Sequence, residues 1–224
     1  MQAASAPQER IIGLLNLPEI VGDGCGPAKP GSADLHSRAS ADSPVTGSLR
    51  YRVSDRQADG RACGSARLDV RRPDGTGEED LPTLESEYEI AAAIVHERSG
   101  QWFRIARRQG SAWIRREHME DFKPYPELLT ETLAYLRPGW DGQLWRSPDL
   151  GPARVPPAWT QYLDQEVTVD VLEIRRTSGD VWLHVRLKTD TCGGTLPNVE
   201  EIAGWVRGYR VSGVTSAWFF SRGC

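Results

Sequence analysis

Apolar and polar residues alternate most cleanly late in the chain, where Val181, Leu183, Val185 and Leu187 are interleaved with Trp182, His184, Arg186 and Lys188. A period of two means a strand with one buried face. The aliphatic set therefore points to a core, and Trp182 and His184 point outward. Val167, Val169 and Val171, alternating with Thr168 and Asp170, predict a second half-buried strand. Shorter apolar runs at residues 49–53, 90–95 and 216–220 read as further strands between turns rich in glycine and proline. One stretch breaks the pattern. Pro126 occupies a favoured first helical position. Leu129, Leu133 and Leu136 then recur at i, i+4 and i+7 before Pro138-Gly139, which predicts a helix over 126–139.

Two segments resemble each other. Trp102-Phe103-Arg104-Ile105 is followed by Ser111-Ala112-Trp113-Ile114-Arg115; Trp182-Leu183-His184-Val185-Arg186 is followed by Ala203-Gly204-Trp205-Val206-Arg207. Leu144-Trp145-Arg146-Ser147 takes the place of Leu35-His36-Ser37-Arg38. An internal repeat implies two units of like architecture. The expected organisation is an extended N-terminal segment over 1–30, a first β-barrel over 31–125 with an insertion or hairpin arm at 54–87, a helical connector over 126–139, and a second barrel over 140–224. Phe103, Ile105, Leu183 and Val185 are the expected buried positions of the two equivalent strands.

Composition narrows the function classes. The net charge of −4 lacks the basic face that nucleic acid attracts. No run approaches the ~18 apolar residues of a membrane span. A charged and apolar leader is missing, but Ala3-Ala4-Ser5-Ala6 resembles the small-residue end of one, which fits an exported chain whose leader has been removed. Arginine outnumbers lysine 24 to 3; this suits bidentate anion binding, or simply reflects coding bias. Cys25, Cys63, Cys192 and Cys224 are even in number, so an exported protein would hold two disulfides with three possible connectivities. Their order suggests Cys25–Cys63 and Cys192–Cys224; the plainer alternative is four free thiols in a reducing compartment.

The Trp-led strands, the small-residue-Trp-aliphatic strands and the polar, Pro-containing loop ahead of Gly47 together resemble the bacterial SH3-like (SH3b-type) domain. Residues 33–49 with 90–125 match one copy, and residues 141–150 with 167–214 match a second. This sequence departs from the pattern at Ala112, where a glycine is usual, in the insertion at 54–87, and in the wider spacing of Trp182 and Trp205. The resemblance implies a mostly β fold of two small SH3-like barrels in a periplasmic or secreted bacterial protein. It also implies a targeting or binding module whose partner is a peptide, a cell-wall fragment or an envelope protein.

Catalytic chemistry finds little purchase. Cys63 with His96 or His118 is the one nucleophile–base pairing that can be assembled, but no helix pattern follows Cys63 to lower its pKa, and a disulfide role is the simpler reading. The cysteines and histidines lack metal-ligand spacing. Gly22-Asp23-Gly24-Cys25-Gly26 opens no helix and so makes no phosphate cradle. No cofactor, metal or catalytic site is therefore expected. The remaining candidates form a ligand surface: Trp102, Trp113, Tyr125, Trp182, Trp205 and Tyr209 as aromatics, with Arg104 and Arg115 from a hairpin that also carries Arg107, Arg108 and Arg116. Exposed aromatics on a small barrel make peptide or glycan grooves. Alternatively, the same rings pack barrels together in a structural or assembly protein.

Overall fold

The computed structural model describes residues 9–17, 32–53, 66–87, 90–117, 121–130, 132–148, 150–177, 179–191 and 194–223. The chain divides into two compact units. One spans Ile12–Pro124; the other takes Tyr125–Cys224 together with Met1–Ile11. Both are mostly β, and the longer helical pieces are 3-10 turns at Tyr125–Leu129 and Pro157–Tyr162.

The N-terminal unit contains β1 (Gly13–Leu15), β2 (Ser32–His36), β3 (Val45–Val53), β4 (Ala66–Arg71), β5 (Glu78–Asp80), β6 (Thr83–Glu87), β7 (Ile90–Ser99), β8 (Trp102–Ala106), β9 (Ser111–Arg115) and β10 (Phe122–Pro124). They hydrogen-bond in the order β10-β1-β7-β8-β9-β2-β3-β4-β5, with β6 also on β7. One core collects Leu15, Leu35, Leu49, Val70, Val95, Phe103, Ile105 and Ile114, drawn from seven of these strands. Among the described residues no helical layer covers that face, and the sheet curls round its own side chains. Tight turns set the register. Ser99 faces Trp102 across the β7–β8 hairpin, and Gly100 takes the positive φ of 58° that this turn demands.

The C-terminal unit contains β11 (Ala134–Leu136), β12 (Gln143–Ser147), β13 (Leu150–Arg154), β14 (Val167–Arg176), β15 (Val181–Leu187), β16 (Asp190–Thr191), β17 (Gly194–Thr195), β18 (Ile202–Arg207) and β19 (Ala217–Phe219). Seven of them form a sheet in the order β19-β11-β14-β15-β18-β12-β13, and β16 and β17 pair apart. Read along the chain, these strands take the places of β10-β1-β7-β8-β9-β2-β3. The correspondence extends to an irregularity. β7 shifts register against β8 between Val95 and Glu97, and β14 shifts against β15 between Val171 and Glu173. A bulge bends a strand and steepens its twist, and here it falls at matching places in both sheets.

The structure departs from expectation in several places. Among the described residues the edge strands of neither sheet pair to close a barrel. The stretch 126–139 is not a helix. After the 3-10 turn, Ala134–Leu136 is a strand held on both sides, with Leu136 opposite Val167 and also opposite Ala217. Three leucines are too few to distinguish a helical stripe from a strand whose Ala134 and Leu136 face inward. The hydroxyls of Thr130 and Thr132 donate to the carbonyls of Glu127 and Leu128, a local alternative to helical bonding. The described part of the expected insertion, residues 66–87, belongs to the sheet: β4 lies along β3, β5 along β4, and β6 along β7.

Candidate functional site

Strand alternation sorts the side chains. In the N-terminal unit Phe103, Ile105 and Ile114 turn inward and are fully buried. Trp102, Arg104, Trp113 and Arg115 therefore share the outward face of β8 and β9. Trp102 lies opposite Arg115, and Arg104 opposite Trp113. His36 of β2 stands opposite Trp113, its ring packed edge-on against Trp102 with centroids 5.1 Å apart. The His36 Nδ1–H donates to the Ser43 carbonyl at 3.1 Å, which fixes the imidazole. Arg104 is held by the Glu97 carboxylate at 3.0 Å, and Arg115 donates to the Gln101 amide oxygen at 3.3 Å.

The C-terminal unit repeats the register with more aromatic mass. Leu183, Val185 and Leu187 face the core. On the outward face Trp182 lies opposite Arg207, and His184 opposite Trp205, while Trp145 of β12 lies opposite Trp205. The Trp145 and Trp182 rings meet edge-on at 5.2 Å, and His184 stacks on Trp205 at 5.0 Å. Two guanidiniums roof this floor. Arg175 sits 4.6 Å from the Trp205 ring centre; Arg207 sits 5.5 Å from Trp182 and 5.6 Å from Trp145. This burial corrects the sequence expectation for Trp182. Its backbone position faces outward, but its side chain is only 4% exposed because neighbouring strands cover it. Gly204 makes the floor possible from the inner side, since a Cβ there would come 2.8 Å from that of Leu144.

Beside this face a cleft of about 390 Å³ opens within the C-terminal unit. Trp140, Trp145, Val206 and Tyr209 give it apolar walls, and Arg207, Arg210 and Asp141 its charge. Arg210 is braced by donating from Nη2 to the carbonyls of Arg137 and Pro138 at 2.7 and 2.8 Å. Burial, and then the nearby Arg137, hold its pKa below the ordinary guanidinium value. The indole N–H of Trp140 is buried without an acceptor among the described residues.

The remaining candidates divide. Tyr125 is not on a ligand surface. It is fully buried, stacks on Trp218 and donates its hydroxyl to the carbonyls of Gly208 and Ala217 at 3.0 Å. Burial pushes its phenol pKa well up. Tyr209 walls the cleft, but its hydroxyl is committed to the Ile11 carbonyl at 2.8 Å and its ring is covered by Arg10 at 3.6 Å. The arginine hairpin is not one patch: Arg107 pairs with Glu79 at 2.7 Å, and Arg116, almost wholly buried, pairs with Asp121 at 2.5 Å. Trp140, Trp145, Arg175 and Arg207 were absent from the predicted site. The match of Leu144-Trp145 to Leu35-His36 and of Arg207 to Arg115 was the signal for two of them. Cys25, Cys63, Cys192, Cys224 and His118 lie outside the described residues.

Comparison with protein-family models, curated proteins and solved structures found no match to this chain. Among the described residues no group of three acidic, histidine or cysteine side chains could hold a metal, and no helix is long and apolar enough to cross a membrane.

Proposed function

We propose that this is a non-catalytic binding protein made of two SH3-like units, exported by a bacterium, which recognises an acidic peptide, a cell-wall fragment or an envelope protein. The observation that carries this reading is the shared outward register of the two sheets: Trp102 opposite Arg115 and Trp182 opposite Arg207. A guanidinium resting on an indole loses little freedom on binding and keeps its N–H edge available for a carboxylate fork. In the C-terminal unit Arg207 rests on Trp145 and Trp182 in this way, and Arg175 on Trp205; with no spacing for a triad or phosphate loop in the sequence, this favours recognition over chemistry. The matching strand orders favour a duplicated unit.

Titration of the whole protein with soluble peptide-bearing wall fragments, followed by calorimetry, tests the reading. Saturable binding that weakens in Arg175→Ala and Arg207→Ala, with the fragments recovered intact, is the expected result. Failure of any wall fragment or acidic peptide to bind would overturn it. The exported location carries its own test: mass spectrometry of the unreduced protein should find no alkylatable thiol, with Cys25–Cys63 and Cys192–Cys224 linked. Two or more free thiols would remove both the pairing and the export.

A further inference from the structure

We infer that the cleft beside Arg207 takes the free carboxylate end of a peptide whose last side chain is aliphatic. The inference rests on the binding-module reading and assigns it one site and one ligand chemistry. Three observations converge. The Arg207 guanidinium contacts the Trp145 and Trp182 rings but makes no side-chain hydrogen bond or ion pair with any described residue. Its charge is thus oriented by aromatic faces yet unneutralised. Asp141, the one acid among the described lining residues, accepts the Gln143 backbone N–H at 3.0 Å, and against it Arg207 and Arg210 leave the lining net positive.

The walls supply the apolar part. Trp140, Trp145 and Val206 line one continuous cleft. At its rim Val211 is 99% exposed on the turn that Gly213 closes onto Arg210 at 2.9 Å. A valine held fully in water beside an apolar cleft gains by being covered. A lone inorganic anion would leave the walls and Val211 wet. A purely apolar ligand would leave Arg207 unpaired. A chain end carrying both groups satisfies the two demands together.

The N-terminal unit differs at the corresponding places. His36 stands where Trp145 stands, and Arg115 is tied to Gln101. The inference therefore concerns the C-terminal unit alone.

The test uses the full-length protein labelled with nitrogen-15 and two probes: N-acetyl-Ala-Ala-Leu with a free carboxylate, and the same peptide as its carboxamide. Chemical-shift titration should move the indole N–H signals of Trp140 and Trp145. The carboxylate peptide should bind at least about tenfold more tightly, the yield of one charge-assisted pair. Arg207→Gln should reduce the carboxylate peptide to the level of the carboxamide, and Arg154→Gln, on the exposed edge strand β13, should leave it unchanged. Should Arg207→Gln fail to fold, Arg207→Lys keeps the charge but loses the fork and should bind with intermediate strength. The carboxylate–carboxamide ratio in the unmodified protein needs no variant. Equal affinity for both peptides, shifts confined to other residues, or no binding of either peptide would overturn the assignment. Wall-fragment binding that persists undiminished in Arg207→Gln would overturn this site while leaving the binding-module reading in place.

Discussion

The guanidinium of Arg207 lies 5.5 Å from the centre of the Trp182 ring, its cross-strand neighbour. The contact explains how an outward-facing tryptophan stays nearly sealed from water. It also makes Arg207 a lid as well as a charge. Replacing it with alanine should cost only about 0.5–1 kcal/mol, the range of an exposed cation–π contact. The same change should raise quenching of tryptophan fluorescence by acrylamide. Unchanged quenching would mean that Trp145 alone covers the ring.

Gly204 and Leu144 should be coupled. A methyl at residue 204 would meet the Leu144 Cβ at 2.8 Å and the Trp145 carbonyl at 3.4 Å, and overpacking of this kind costs about 1–3 kcal/mol. Gly204→Ala should therefore destabilise the C-terminal unit. The penalty should shrink in the background of Leu144→Gly, which removes that Cβ, giving a coupling energy of about 0.5 kcal/mol or more in a double-mutant cycle. Strict additivity would show that the strands β12 and β18 simply move apart.

The two faces of β15 should respond differently. Leu183 is fully buried, and Leu183→Ala should cost about 2–4 kcal/mol by chemical denaturation. Arg186 is exposed and loosely placed 3.8 Å from Asp170, so Arg186→Ala should change stability by less than about 1 kcal/mol. Similar costs at the two positions would contradict the assignment of faces.

The Arg116–Asp121 pair in the N-terminal unit has side-chain exposures of 5% and 12%. Asp121→Ala removes one partner of a nearly buried cation that keeps a further contact. It should cost more than the ~1 kcal/mol of a surface pair and less than the ~3–5 kcal/mol of a buried charge stripped of every partner. A cost below about 1 kcal/mol would show that Arg116 finds water or another acceptor.

Alkaline stability should depend on Tyr125. Burial raises its pKa above the usual tyrosine value, and Tyr209 shifts in the same direction. The unfolded chain therefore ionises first. The stabilisation is fully present below about pH 10 and declines as pH rises beyond it. Urea unfolding between about pH 8 and about pH 11 should show this loss. Tyr125→Phe should flatten the decline while costing about 1–3 kcal/mol at neutral pH, because the Gly208 and Ala217 carbonyls lose a donor. A decline that remains equally steep in Tyr125→Phe would place its origin elsewhere.

Much of this was legible one strand at a time. A period-two pattern contains its own answer, and Phe103, Ile105, Leu183 and Val185, the core positions that alternation alone assigns, are all fully buried. The cross-match of Leu144-Trp145 with Leu35-His36 likewise needed only local sequence, and in both sheets the leucine faces in and the ring faces out.

Other features depended on partners far along the chain. Alternation assigned Trp182 to the outward face, but only the neighbouring Trp145 and Arg207 determined that it would be covered there. Residues 134–136 became a strand because β14 and β19 flank them, and pairing on both sides outweighs a three-leucine stripe. The cleft joins Trp140, Val206 and Arg210 from separate segments, and the hydroxyl of Tyr209, whose ring walls the same cleft, is committed to the Ile11 carbonyl. Sequence alone established which face of each strand is apolar, because that depends on residues two positions apart. Only the tertiary structure decided which outward side chains meet, because those contacts depend on the register between strands that lie far apart in the chain.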